Sequence, residues 1–481
     1  MAFSTPQGWK AVIGLEIHAQ LSTKSKMFSK DSTQFGSQDN VNVSPVSLGM
    51  PGALPVINKK AVEYSIRAGL ALGCKIRDNS VFARKHYFYP DLPKGYQISQ
   101  YDLPICYEGE IEFYVDGVKK KVNIERAHME EDAGKSIHDG AQSLINYNRS
   151  SVPLLEIVSA PDMSTPAEAA EYTRTIRGIL QYLEVCDGNL EEGSLRCDCN
   201  VSVMKDNETA YRTRVEIKNI NSFRFIEKAV EFEILRQIDV YEDGGSIYQE
   251  TRLYDSAKNK TFSMRGKEEA KDYRYFQDPD LLPVKIEESW IESIKESLPE
   301  LPRQKALRFQ ADLGLPEYDA LVLTQDKKMA DYFEAVVAKC KAPKTASNWI
   351  MGELLKNLNE ARLEFEQNTI SADHLAELVS AIEDQTISGK MGKNVFAEMW
   401  KTQKSPKSII AEQGMSQITD PAAVEKVVMD VINANPGQVE QYRSGKNKLF
   451  GFFVGQVMKV SKGQANPDMV NDVLKRILDG Q

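Results

Sequence analysis

Cysteine is scarce in this sequence, tryptophan and histidine are scarcer, and long apolar runs are missing. The six cysteines among 481 residues, at positions 74, 106, 186, 197, 199 and 340, are dilute and mostly isolated. That usage argues against a disulfide framework and suits a reducing compartment. No apolar stretch approaches the ~20 residues of a membrane-spanning helix, so no membrane association is expected. Residues 1–10, MAFSTPQGWK, show neither a signal peptide's apolar core nor the Arg/Ser-rich pattern of a transit peptide. A cytoplasmic location is the expectation. Basic residues are outnumbered, 60 Lys and Arg against 69 Asp and Glu, for a net charge of -9. Non-specific coating of nucleic acid is thereby disfavoured, while a local basic patch is not. The length is too great for one ordinary core and predicts two to four domains.

What is present is concentrated between Asn123 and Asp162. There NIERAHMEEDAGKS gathers His128, Glu130, Glu131 and Asp132, and VPLLEIV encloses Glu156 in an apolar run. An ionised carboxylate in such a run is costly unless it is paired, protonated or bound to a metal. Upstream, alternation predicts a strand over 11–21, with Ile13, Leu15, Ile17, Ala19 and Leu21 on one face and Glu16, His18 and Gln20 on the other. A solvated face and a polar cleft both fit that pattern. A hairpin is predicted through Asp116-Gly117. On its return strand Val122, Ile124, Arg126, His128 and Glu130 are expected on one face, and Asn123, Glu125, Ala127, Met129 and Glu131 on the other. At most one of Glu130 and Glu131 then belongs to any one site. The AGKS at 133–136 resembles the end of a phosphate loop, but Met129 stands where the first glycine is required.

Between 84 and 102 the segment RKHYFYPDLPKGYQISQYD interleaves Tyr87, Phe88, Tyr89, Tyr96 and Tyr101 with Arg84, Lys85, His86 and Lys94. Pro90 and Pro93 forbid a continuous helix or central strand. It reads either as a pinned surface loop or as a basic, aromatic loop over a nucleotide or RNA end. Cys197 and Cys199 fall on the apolar face of a predicted strand and read as core. Helical periodicity takes over after about residue 293, with a softer change near 405. The last block, 439–481, holds seven basic and four acidic residues, a local excess of +3.

These residues carry a resemblance over nearly the whole chain. VIGLEIHAQL, LGMPGALPVIN, HYFYPDLPKGYQISQYD, HMEEDAGKS, VPLLEIVSAPD, EEGSLRCDCNVSV, VEIKNINSF and DYRYFQDPDLLPV resemble the B subunit of the glutamyl/aspartyl-tRNA amidotransferase. SNWIMGEL, SGKMGKNVF and GFFVGQVMKVSKGQANP resemble its helical and tail domains. The resemblance implies an α+β fold: a mainly antiparallel-sheet cradle with helices over 1–292, carrying ATP and metal, an all-α domain over 293–405, and an α-helical, tRNA-binding tail over 406–481. It implies ATP-dependent amidation of glutamate or aspartate on a misacylated tRNA. Ammonia would come from a partner amidase (glutaminase), the A subunit of the family's complex, with a small C subunit as third member.

The family pattern carries a metal onto His18, Glu131 and Glu156, with Glu16 and Glu130 matching neighbouring motif acids; Glu16, Glu130 and Glu131 are thus the candidate catalytic acids. Two carboxylates and one imidazole suit Mg²⁺, with Mn²⁺ as the other choice. Arg84, Lys85, His86 and Arg149 are expected around the phosphates or the aminoacyl end, and Lys446, Lys448, Lys459 and Lys462 against tRNA. The sequence departs from the family where many members carry paired zinc cysteines, since Ser29, Asp31, Ser44 and Ser47 stand there. No zinc is expected, and that loop should be held by packing. A non-catalytic tRNA-binding scaffold and a self-contained ligase using free ammonia are the rival readings.

Overall fold

The computed structural model describes residues 3–140, 142–266, 270–361, 363, 365–414, 420–461 and 464–479. It forms two compact units that divide between Leu301 and Pro302.

The first unit is built on a sheet whose nine described strands are β1 (Trp9–Gln20), β2 (Lys75–Ile76), β3 (Cys106–Val115), β4 (Val118–Glu131), β5 (Pro153–Ser159), β6 (Leu195–Lys205), β7 (Val215–Lys218), β8 (Glu250–Asp255) and β9 (Lys260–Gly266). Their spatial order is β9-β8-β7-β6-β1-β5-β4-β3-β2. Every pairing is antiparallel except β7 with β8. The mainly antiparallel sheet with helices agrees with the α+β expectation. Strand β1 is its centre. Ile13, Leu15, Ile17 and Ala19 are fully buried on one face, where helices α1 (Lys59–Ala71), α2 (Pro166–Tyr182) and α3 (Phe223–Glu242) contribute to the same core. Each helix begins at a side-chain cap, Asn58, Thr165 and Ser222 respectively. With one face sealed by helices, the even-numbered side chains of β1 are left to the opposite, polar face.

Strand β4 departs from simple alternation. Its register with β5 shifts between Val158 and Ser159, opposite Glu125, and on β3 Glu108 adopts a left-handed φ of 51°. The extra residue turns the strand over. Val122 and Ile124 share the helix-covered core with Ala127 and Met129, not with Arg126, His128 and Glu130 as alternation predicts. Glu130 and Glu131 still point oppositely, because pairing is regular from Arg126 to Glu131.

A small second sheet aligns Phe276–Gln277, Ala83–His86 and Tyr96–Ser99, so the basic, aromatic segment contains two short strands. The 22–58 loop closes around Asp31. Its Oδ2 accepts hydrogen bonds from Ser47 Oγ and, at 2.9 Å, from the Ser44 amide, while the Asp31 amide donates to Ser29 Oγ at 3.3 Å.

The second unit is helical. The apolar periodicity of the sequence predicts helices over 302–313, 326–340, 372–384, 390–401, 422–433, 447–459 and 468–478, and helices are found over Pro302–Leu313, Lys327–Cys340, Ala372–Glu383, Gly389–Thr402, Pro421–Ala434, Leu449–Val460 and Pro467–Leu478. Helical periodicity in the sequence predicts one helix over 346–365; it is divided by a π-helical turn at Ile350–Leu354, a local widening that periodicity does not reveal. Buried side chains form two clusters, one from Ala306 to Ile409 and one from Val424 to Leu478. No described helix is long and apolar enough to cross a membrane.

Candidate active site

Four strands lay one row of side chains across the polar face. Arg196 pairs with His18, His18 with Glu156, and Glu156 with His128, on β6, β1, β5 and β4. Glu130 stands one step along β4, opposite Leu154, on the same face as His128. Directly paired positions bring Cβ atoms to about 5 Å, which lets the polar tips meet. His18 Nε2 lies 3.3 Å from Glu156 Oε2 and 3.6 Å from Glu130 Oε1. His128 Nε2 lies 3.4 Å from Glu156 and 3.9 Å from Glu130, and its Nδ1 is buried without a hydrogen-bond partner. Ligand atoms of His18, Glu130 and Glu156 all fall within 4.8 Å of one another. Hard carboxylate oxygens with one imidazole nitrogen fit a divalent cation of the Mg²⁺ or Mn²⁺ type.

The charges are strongly coupled. Burial opposes protonation of His18, but the Glu156 carboxylate, then Glu130 and Asp198, lift its pKa to about 9. Glu156 is held well below the usual carboxylate range: burial disfavours its charge, and His128 and His18 outweigh burial. Lys85 joins this field from the small sheet. Burial again opposes its charge, yet Tyr275, Glu130, Glu156 and Tyr273 together raise its pKa.

Other expected site residues lie elsewhere. Glu131 points away from the cluster and forms a buried ion pair with Lys94. Its oxygens also accept from the Ile98 amide at 2.9 Å and from Ser151 Oγ at 2.6 Å. The group of side chains that could hold a metal thus contains the first glutamate of HMEED, whereas the second, which the family pattern assigns to the metal, is paired with Lys94. Glu16 belongs to a neighbouring group with Asp198 and Glu216, beside which Lys218 pairs with Asp198. Arg84 bridges Asp278 and Asp280 at 3.0 and 2.8 Å. His86 stacks on Phe276. Arg149 donates to the carbonyls of Ala133 and Gly134 at 2.9 and 2.7 Å, clamping the AGKS turn. Of the four expected phosphate-facing residues, Lys85 is the one whose charge couples to Glu130 and Glu156. In the second unit Lys446, Lys448 and Lys459 are exposed, and Lys462 lies outside the described residues.

Sequence reasoning did not assign roles to His128, Lys94 or Lys218. For His128 the signal was available: it shares alternation with Glu130, and HMEED begins with it. Lys94 pairs across 37 residues with Glu131, a contact that no local pattern announces.

Known families match this chain over most of its length. Residues 11–292 match the GatB/GatE catalytic domain, and residues 331–478 match the GatB domain. The chain belongs to that family. It is 62% identical over 469 residues to the B subunit of the aspartyl/glutamyl-tRNA(Asn/Gln) amidotransferase of Bdellovibrio bacteriovorus, covering 97% of this chain and 98% of the relative. The proteins of the same description from Thermodesulfovibrio yellowstonii and Geotalea daltonii are 54% and 53% identical, each over 98% of this chain and 99% and 100% of the relative. The His18–Glu130–Glu156 group lies wholly within the catalytic-domain match of this amidotransferase family.

Proposed function

We propose that this chain is the B subunit of an ATP-dependent aspartyl/glutamyl-tRNA(Asn/Gln) amidotransferase, and that His18, Glu130 and Glu156 form its phosphoryl-transfer centre. The observation that carries the reading is the convergence of one imidazole, two carboxylates and the Lys85 ammonium on a sheet face within the catalytic-domain match.

The side-chain carboxylate of tRNA-bound glutamate or aspartate does not react with ammonia directly. Its oxygen attacks the γ-phosphorus of ATP, releasing ADP and leaving an acyl phosphate. Ammonia then attacks the acyl carbon and expels phosphate, giving the amide. Such transfer needs positioning and charge neutralisation more than a covalent protein group. A Mg²⁺ or Mn²⁺ held by His18, Glu130 and Glu156 would neutralise phosphate charge. Lys85 supplies a second, fixed positive charge. Asp132, whose oxygens accept from Gln20 at 2.8 Å and Arg196 at 3.1 Å, fixes the neighbouring side chains on β1 and β6. Arg149, by clamping Ala133 and Gly134, keeps the turn after β4 in place.

Ammonia is assigned to a partner glutaminase, the A subunit, acting with a small C subunit; the relatives' designation as B subunits and their tRNA(Asn/Gln) description support this. The cytoplasm is the proposed location. The organisation proposed is a catalytic segment over 1–292, a helical segment over 293–405 and a tRNA-binding tail over 406–481. Separate buried clusters before and after residue 410 support the last division. The exposed Lys446, Lys448 and Lys459, with Lys462, are the proposed phosphate-backbone contacts.

The deciding experiment assays Glu156→Gln and His18→Ala in the reconstituted complex, with ammonium chloride replacing glutamine as donor. Amidation should collapse while tRNA still binds and the partner's glutaminase remains active. Near-normal amidation would instead support a scaffold, and turnover by the isolated chain a self-contained ligase.

A further inference from the structure

The tyrosines beside Lys85 form one connected array. Tyr87 meets Tyr273 edge-on, with centroids 6.2 Å apart, and Tyr273 meets Tyr275 likewise at 6.1 Å. Tyr275 lies parallel to Tyr101, with centroids 4.2 Å apart and planes 8° apart. Lys85 Nζ stands 4.8 Å from the centre of the Tyr273 ring, so the array starts at the cation that couples to Glu130 and Glu156. It ends at Tyr101, which is 45% exposed.

Burial accounts for little of the outer end of this array, because a hydroxyl-bearing ring left half in solvent buries little area. The parallel Tyr101–Tyr275 pair instead offers a flat π surface at the edge of the candidate active site. Its backbone is under constraint as well: Arg274, between Tyr273 and Tyr275, has a left-handed φ of 48°. Non-glycine residues in that region recur at turns and helix ends and also at ligand sites. Arg274 is itself exposed. Flat aromatic faces are a means by which proteins hold nucleobases without reading their edges.

We propose that Tyr101, stacked on Tyr275, is the base-stacking end of an adenine subsite, with Lys85 at the other end drawing the reacting phosphate or acyl group toward Glu130 and Glu156. The proposal rests on the phosphoryl-transfer reading of that cluster. In that reading adenine arrives twice, as the base of ATP and as the terminal adenosine that carries the amino acid on tRNA. Both present the same ring to the wall.

The test measures KM for ATP at saturating misacylated tRNA, and KM for misacylated tRNA at saturating ATP, in the reconstituted complex carrying Tyr101→Ala, Tyr101→Leu or Tyr101→Phe. Loss of one stacked base raises one KM by about 5- to 100-fold, equivalent to about 1–3 kcal/mol. Ala and Leu should both show the rise, and Phe, which keeps the ring, should reverse it. A rise confined to ATP assigns the wall to the nucleotide; one confined to tRNA assigns it to the terminal adenosine. If both KM values stay within about twofold of wild type, or if Phe behaves like Leu, the subsite is refuted. Glu156→Gln in the same assay separates the two levels. Collapsed amidation there, with both KM values unmoved by Tyr101→Leu, removes the adenine wall alone, whereas normal amidation in Glu156→Gln removes the reaction centre on which it rests.

Discussion

His18 and Glu156 are directly paired on adjacent antiparallel strands, and their polar tips lie 3.3 Å apart. The pairing joins residues 138 positions apart (156 − 18), and Glu130 from a third strand meets the same imidazole. Two chemically identical neighbours on β4 thus have different partners, Glu130 facing His18 and Glu131 paired with Lys94. Glu130→Gln should raise the Mg²⁺ concentration needed for half-maximal amidation by roughly tenfold or more. Glu131→Gln should leave that requirement in place and lower the unfolding free energy by about 3 kcal/mol, because the buried Lys94 ammonium loses its counter-charge. Metal titration and denaturant unfolding of both variants decide the matter; a metal defect in Glu131→Gln alone would restore the family-based assignment.

Much of this arrangement is readable in the sequence because burial imposes period-2 patterning on strands. The two faces of β1 and the opposition of Glu130 to Glu131 follow from alternation, and the anomaly of Glu156 from the apolar run that encloses it. What fails is instructive. The inward and outward sets of β4 exchange at Glu125 because one residue is accommodated in a bulge, and a bulge leaves no compositional mark there. Arg84, His86 and Arg149 look like phosphate ligands by charge, yet Asp278, Phe276 and the Ala133 and Gly134 carbonyls engage them. Those partners are set by tertiary packing. The helical unit reads well because its apolar stripes are long, and fails at Ile350–Leu354 where a π turn changes the period.

Lys85 Nζ lies over the Tyr273 ring, whereas Arg84 is engaged by Asp278 and Asp280 and His86 by Phe276. Neighbouring residues of a strand point to opposite sides, so Lys85 is directed away from Asp278 and Asp280. Lys85→Ala should lower kcat by about 10²- to 10³-fold, the usual range for removing one group that stabilises transition-state charge. Binding of tRNA, followed by filter retention or calorimetry, should change little. Full turnover in Lys85→Ala would remove it from the reaction centre.

The Asp31 knot fixes the loop before α1. Burial would raise the Asp31 pKa, but hydrogen bonds to its carboxylate from Ser47 Oγ and the Ser44 amide outweigh it and hold the pKa below its ordinary value. Asp31→Ala should cost about 1.5–3 kcal/mol, the range for hydrogen bonds to a charged group. Ser47→Ala should cost less, because Ser44 and Ser29 remain. Thermal unfolding of the two variants supplies the comparison, and equal stability of Asp31→Ala and wild type would show that the loop is held by other contacts.

Beneath that knot, Lys26 is fully buried, and its ammonium donates to the carbonyls of Asn42 at 2.6 Å and Tyr147 at 3.2 Å. Burial lowers its pKa from 10.5 to about 8, against the opposing pull of Asp31 and Glu131. The sign of the pH effect follows from which state keeps the proton. Below pH 8 both folded and unfolded chains are protonated, and the folded chain bears the full cost of the buried charge. Between about 8 and 10.5 the folded chain releases a proton that the unfolded chain retains, so stability rises with pH through that window. Lys26→Met removes the titrating group and should lose this rise, which amounts to a few kcal/mol at about 1.4 kcal/mol per pKa unit. Urea unfolding of wild type and Lys26→Met at intervals from pH 7 to about 10.5 reads the difference directly, since other groups that titrate there are common to both chains. Parallel profiles would show that the Lys26 ammonium has the same proton affinity folded and unfolded.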